Sequence, residues 1–232
     1  MSLKILGFDA SGPGLSAGYL IGGEAAADFT WRLPKTAGSH LVPWLDMLAR
    51  EFGEPDAVAV GVGPGSFTGV RIAVTAAKAL AYAWNVPALG ISSLQAWAYS
   101  VPNPSSHVLV TSEKRGPAFY AGLYFCGAGV PEAVIPDWAA SGNLPETFPL
   151  RGPVGVLGPL GLDAEWLAAV GPGATALNVP LLGSQVARLA QSRVQCGEWE
   201  DALNLSPAYI RAPAISTSGR SHGKEESRHG SE

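Results

Sequence analysis

The chain has 232 residues, a formal net charge of −4 and charged residues at only 15%. That balance argues against a large nonspecific nucleic-acid surface, which needs clustered Lys and Arg. Two cysteines, Cys126 and Cys196, make no metal-ligand spacing, and no apolar run is long enough to cross a membrane. Met1 to Gly7 lacks a long apolar core, so no signal peptide is expected and the cytoplasm is the expected compartment.

In chain order, Leu3 to Asp9 reads as a strand covered on both faces. Ser11-Gly12-Pro13-Gly14 is a turn. Ser16–Ile21 and Glu24–Trp31 read as two strands joined by a hairpin at Gly22-Gly23. Leu41, Leu45, Leu48 and Phe52 recur at helical spacing and predict a helix over Ser39–Phe52. Asp56–Gly61 is a fourth strand, Thr68–Asn85 a second helix, Ala88–Ile91 a short strand and Ser93–Ser100 a third helix. After residues 102–106 the pattern restarts. Strands are expected at His107–Thr111, Ala118–Phe125 and Val154–Leu157, and helices at Asp163–Val170 and Leu181–Val194. Pro131 to Pro149 reads as irregular or a short helix. The polar run from Ser216 onward cannot bury enough surface to offset its ordering entropy and is expected to be disordered. The division that follows is 1–103 for a first lobe, 104–215 for a second and 216–232 for the tail.

Between the fourth strand and the second helix stands Gly61-Val62-Gly63-Pro64-Gly65-Ser66-Phe67-Thr68-Gly69-Val70-Arg71. Strand, glycine loop and helix start is a context in which backbone N–H groups face an anion. The same glycines serve a tight strand-to-helix turn, and both readings stand. The loop lacks the Gly-Lys-Ser/Thr end of a phosphate-binding P-loop, the Gly-x-Ser-x-Gly of a nucleophile elbow, and the third glycine of a dinucleotide-binding loop. Asp9 with Ser11 at the end of the first strand has two readings as well: a carboxylate holding Mg²⁺ through water, or an Asp capping a turn. Asp9, Ser11, Gly63, Gly65, Ser66 and Thr68 are therefore the candidate nucleotide or anion site. No catalytic residue and no metal-ligand set is assigned.

The string Gly63-Pro-Gly-Ser-Phe-Thr-Gly-Val-Arg71, with Ile91-Ser92-Ser93-Leu94 after the helix, resembles the TsaB family, also called YeaZ. So do Ile5-Leu6-Gly7-Phe8-Asp9-Ala10-Ser11, Ser39-His40-Leu41-Val42-Pro43 and Ser206-Pro207-Ala208-Tyr209-Ile210-Arg211. The matches run from about residue 3 to about residue 213 and are thinnest over 127–200. The family's Asp-Ala-Arg-like string is replaced here by Thr111-Ser112-Glu113-Lys114-Arg115-Gly116, which withholds any polar role from Ser112 and Lys114. Ala10 stands where the family commonly has Thr.

The resemblance implies an α/β fold of two lobes of the sugar kinase/Hsp70/actin type, each a mixed sheet flanked by helices. It implies a noncatalytic subunit that binds TsaD and supports transfer of the threonylcarbamoyl group to adenosine 37 of tRNA, with the ATPase TsaE joining the pair. TsaD would bear the metal, since this chain lacks a helical His pair. No cofactor is required by this chain, and ATP or ADP with Mg²⁺ belongs to the assembled complex. Contact with tRNA would be indirect. The family's partner interface falls on the two long helices, where the apolar arc is wider than one sheet contact needs: Leu41, Trp44, Leu45 and Leu48, then Val70, Ala73, Val74, Ala77, Leu80 and Ala81. Charge insertion at Leu45 or Ala77 is expected to abolish binding in a folded chain. The alternatives are a homodimer built on the same helices, and an independent nucleotide-binding enzyme of the superfamily.

Overall fold

The computed structural model describes residues 2–32, 37–102, 106–113, 118–141, 153–159, 163–199 and 201–210. Two five-stranded sheets carry the fold. The first contains β1 (Lys4–Asp9), β2 (Leu15–Ile21), β3 (Glu24–Trp31), β4 (Ala57–Gly61) and β5 (Ala88–Ile91), in the order β3-β2-β1-β4-β5. The second contains β6 (Ser106–Thr111), β7 (Ala118–Cys126), β8 (Glu132–Ser141), β9 (Val154–Leu157) and β10 (Ala174–Leu177), in the order β10-β9-β6-β7-β8.

The two sheets are built by one rule. In each, the first strand pairs antiparallel with the second and parallel with the fourth. The second pairs antiparallel with the third, and the fourth parallel with the fifth. The helices repeat it too. α2 (Phe67–Trp84) joins β4 to β5 as α4 (Ala164–Val170) joins β9 to β10, and α3 (Ser93–Tyr99) follows β5 as α5 (Gly183–Gln195) follows β10. The duplication, invisible as a sequence repeat, is explicit in the topology.

On one face of the first sheet, α1 (Ala37–Phe52) and α2 bury Leu41, Leu45, Leu48, Val70, Ala73 and Ala77 against Leu6, Phe8, Tyr19, Val58 and Val60. On the other face α5 sets Val186, Ala187 and Ala190 against Ile5, Leu20, Ala57 and Ala59. α3 lies between the sheets. Its Ala96 joins that second cluster, while Leu94 and Ala98 pack with Val108, Val110 and Tyr124 of the second sheet. α4 closes the outer face through Trp166 and Val170.

The chain does not divide cleanly at residue 103. α5 and Leu205 follow the second sheet in sequence but pack on the first. Glycine makes the return fit. Gly7 and Gly18 face each other across β1 and β2, and a Cβ on Gly7 would sit 2.6 Å from the Ala187 nitrogen, while one on Gly18 would sit 2.9 Å from the Gly183 carbonyl carbon. Backbone meets backbone there, which a side chain on either strand forbids.

Two elements differ from expectation. Glu132–Ser141, expected to be irregular or a short helix, is the ten-residue edge strand β8. An edge strand tolerates Pro because one side of its ladder is unpaired, and Pro136 sits there exposed. β10 was not anticipated. The disorder expected from Ser216 onward lies outside the described residues.

Candidate functional site

A cleft of about 1040 Å³ of empty space, open to solvent, lies where the two sheets meet. Its floor is the end of β1 with the turn after it, Asp9 to Leu15, together with Ser16 and Thr30 of the neighbouring strands. Pro64, Gly65 and Ser66 form one wall with Ser93, Leu94 and Trp97, and Phe119, Tyr120, Pro180 and Leu181 close the other side. Of the six candidate nucleotide-site residues, Asp9, Ser11, Gly65 and Ser66 line this space; Gly63 and Thr68 do not.

Asp9 is 1% exposed. One carboxylate oxygen accepts from the Ser11 nitrogen at 2.7 Å and from Ser11 Oγ at 2.8 Å; the other accepts from Ser93 Oγ. Burial raises its pKa, opposed by bonds from Ser93, Ser11 and the Gly12 backbone. Ser93 links the carboxylate to the glycine loop: its Oγ accepts from the Gly63 nitrogen at 3.0 Å and its own nitrogen donates to the Gly63 carbonyl at 2.9 Å. Asp9 thus ties the β1 turn, the loop and the start of α3 into one knot.

The glycines of the loop are explained by the same closeness. A Cβ on Gly65 would lie 2.8 Å from Ser11 Cβ, one on Gly69 would strike the Ala10 carbonyl, and Gly63 has φ 93°. The Ser66 nitrogen donates to the Ser11 carbonyl at 2.6 Å, and Ser66 Oγ caps α2 by accepting from the Gly69 nitrogen at 3.3 Å. These donors face protein. The turn-capping reading of Asp9 and the tight-turn reading of the loop account for the observed contacts.

A Mg²⁺-bound nucleotide does not fit this donor set. A magnesium site needs carboxylate oxygens that reach the ion or its waters, and Asp9 is 1% exposed with each oxygen already accepting from a donor of the chain itself. Glu113 stands at the exposed rim. No group of three His, Cys, Asp or Glu residues among those described is placed to share a metal.

The interface residues expected on the two helices are mostly core. Leu41, Leu45, Leu48, Val70, Ala73, Val74, Ala77 and Ala81 are buried, and Trp44 and Leu80 are partly buried. The apolar arc of α2 is wide because it meets three things: the sheet, α1, and the segment around the 3-10 turn Ala202–Asn204. Ala202 and Leu205 pack into that core and Lys78 Nζ donates to the Leu203 carbonyl at 2.8 Å. A charge at Leu45 or Ala77 would therefore break the core, correcting the expectation of a folded variant. What solvent meets on these elements is Tyr82 at 79% exposure, Leu203 at 67%, Met47 at 53% and Val42 at 48%.

The C-terminal motif is anchored beside the loop. The Ala208 nitrogen donates to the Val62 carbonyl at 2.8 Å, and Arg71 Nε donates to the Tyr209 hydroxyl oxygen at 2.9 Å. Arg71 also lies 3.8 Å over the Phe67 ring. Arg211, Lys114 and Arg115 are outside the described residues. Sequence reasoning missed two features. Ser93 lies in the Ile91–Leu94 motif, and its bonds to Asp9 and Gly63 exist only in the folded chain. Asp137 accepts from Ser92 Oγ at 2.6 Å and from Tyr124 OH, which fastens β8 to the start of α3. Burial holds the Cys126 thiol up at about 11.

Comparison with known proteins agrees with this architecture. The family profile described as "TsaD: tRNA N6-adenosine threonylcarbamoyltransferase" matches residues 39–128. A curated protein of Bacillus subtilis (strain 168), "tRNA threonylcarbamoyladenosine biosynthesis protein TsaB", is 30% identical over 139 residues, 58% of this chain and 61% of the relative. The protein of the same description from Escherichia coli (strain K12) is 29% identical over 126 residues, 51% of this chain and 54% of the relative. The alignments thus span less than two thirds of these curated relatives. The solved structure of YeaZ from Pseudomonas aeruginosa superposes with a TM-score of 0.76 at 25% identity, covering 89% of this chain and 99% of that one. The chain is similar to proteins of the TsaB/YeaZ family in sequence and in fold.

Its fold is an α/β arrangement of two mixed five-stranded sheets flanked by helices, with the same strand order in both sheets. No helix among the described residues is long and apolar enough to cross a membrane.

Proposed function

We propose that this chain is an accessory subunit for threonylcarbamoyladenosine formation on tRNA, binding TsaD and doing no chemistry of its own. The observation that carries this reading is the knot at Asp9. The position where a kinase of this fold would keep a working carboxylate is here held by three hydrogen bonds from the chain itself. A fold that keeps its architecture while spending that group on structure serves better as a partner than as a phosphoryl-transfer enzyme.

The surface offered to TsaD is the exposed side of α1 and α2, with Val42, Met47 and Tyr82 as its apolar contacts. Large apolar side chains this exposed on two adjacent helices suit an interface. TsaD supplies the metal and the transfer chemistry, TsaE joins the pair, and this chain supplies no nucleotide ligand and meets tRNA only through the assembly. Replacing the host's own gene with this chain in cells depleted of their TsaB, and measuring threonylcarbamoyladenosine in hydrolysed tRNA by mass spectrometry, tests the reading. Restored modified nucleoside is expected. Its absence despite normal accumulation of the chain would contradict the proposal.

A further inference from the structure

One polar group in the cleft is left over. The serine and threonine hydroxyls that line it are otherwise employed. Ser11 and Ser93 donate to Asp9, and Ser66 caps α2. Ser112 Oγ accepts from the Tyr120 nitrogen at 2.9 Å, and Thr30 Oγ1 donates to the Leu181 carbonyl at 3.0 Å. Ser16 Oγ, on a residue 2% exposed, has no partner. A buried hydroxyl without a bond costs on the order of 1–3 kcal/mol, so such groups call for an explanation.

The pleat says where it points. Leu15, Ala17 and Tyr19 of β2 belong to the core beneath α1 and α2, and strand alternation sends Ser16 to the opposite face. Its cross-strand neighbours there are Asp9 on β1 and Thr30 on β3. All three line the cleft. The unpaired hydroxyl is thus the middle of a polar row whose two flanking members are already satisfied.

Around this row the walls are apolar, with three aromatic side chains among them. Leu94, Trp97, Phe119, Tyr120, Pro180 and Leu181 face the space, and Trp97 is held in orientation by its Nε1, which donates to the Val179 carbonyl at 2.8 Å. Among the described lining residues Arg32 is the one cation, opposed by Glu113 and by the spent carboxylate of Asp9. Concave sites with apolar walls and a few placed polar groups are the usual form of a small-molecule site.

We propose that the cleft is a binding site for a neutral, planar heterocycle that lies between Trp97 and Leu181 and hydrogen-bonds Ser16 Oγ, without metal or phosphate. A hydroxyl both donates and accepts, so a ring carrying an adjacent N–H and carbonyl is its natural complement. The site is independent of the TsaD-binding reading, and its test uses this chain alone.

The probe is 2-quinolone, a neutral lactam, titrated into the full chain by isothermal calorimetry, with Ser16→Ala and Ser16→Leu as variants checked by circular dichroism. Saturable one-to-one binding is expected, weakened by about tenfold in Ser16→Ala and lost in Ser16→Leu, which fills the space. Ser16→Ala is small enough to fold, so the test survives if Ser16→Leu does not. No saturable binding up to the solubility of the probe overturns the proposal, as does equal affinity for the wild type and Ser16→Ala. Displacement of the probe by an equal concentration of Mg·ATP overturns the assignment of a neutral ligand.

Discussion

The Asp28 carboxylate, on β3, accepts a 2.7 Å hydrogen bond from the backbone nitrogen of Ser184 in the first turn of α5. The two residues are 156 positions apart. Leu182, at the N-cap position of that helix, makes no side-chain capping bond. The edge strand of the first sheet therefore caps a helix delivered by the second half of the chain, and the sign is right, since a carboxylate favours a helix N-terminus. The contact joins the beginning and end of the fold more directly than any sequence motif.

Replacing Asp28 with Ala should cost about 1 kcal/mol, the usual worth of an N-cap. Urea denaturation reads it as a lower midpoint with an unchanged slope. Asp28→Asn, which keeps an acceptor oxygen, should recover most of the loss. If Ala and Asn are equally damaging, charge rather than capping is what the position supplies.

The glycine seam beneath α5 should be far less forgiving. A Cβ on Gly18 would meet the backbone of Gly183 and Ser184, and backbone cannot yield as a flexible side chain can. Gly18→Ala is expected to destabilise by at least about 3 kcal/mol, lowering the melting temperature or the yield of folded chain. Gly12→Ala is the control, because nothing lies within 4 Å of the Cβ it would add; it should be nearly neutral.

Asp9 gives a pH signature. Burial raises its pKa in the folded chain, so the folded state holds the proton more tightly than the unfolded one. Its contribution to stability is then fully present below the ordinary Asp value of about 3.9 and is lost as pH rises through the raised folded value. Asp9→Asn lacks this slope. The stability of the wild type relative to Asp9→Asn should therefore fall as pH rises, measured by urea midpoints at several pH values. A constant difference across the series would contradict the assignment. Asp9→Ala, which strands the donors of Ser11 and Ser93, should lose about 3 kcal/mol or more.

Most strands of both sheets were legible because apolar runs bounded by turn residues mark them, as at Ile5–Phe8 and Val154–Leu157. β8 was not, since Pro131 and Pro136 read as breakers until the strand is seen to lie on an edge. The helices were legible, but not what their faces touch. The apolar arc of α2 pointed to a partner, yet Leu205 and Ala202 of the same chain cover part of it. Periodicity counts apolar positions and is silent on which of three neighbours buries each one. The candidate site was half legible for a related reason. Asp9 and Ser11 could be named from their motif, whereas Ser16 and Ser93 matter through cross-strand register and a contact across 84 positions.

The central claim is that the exposed side of α1 and α2 binds TsaD. Size-exclusion chromatography with light scattering, on this chain mixed with its cognate TsaD, measures it most directly. The wild type should form a one-to-one complex that replaces any homodimer. Tyr82→Glu and Met47→Glu, exposed and therefore folded, should lose it, while Val134→Glu on the outer edge strand should keep it. A complex that survives both helix variants would contradict the surface assignment, and no complex with the wild type, with or without TsaE, would contradict the function itself.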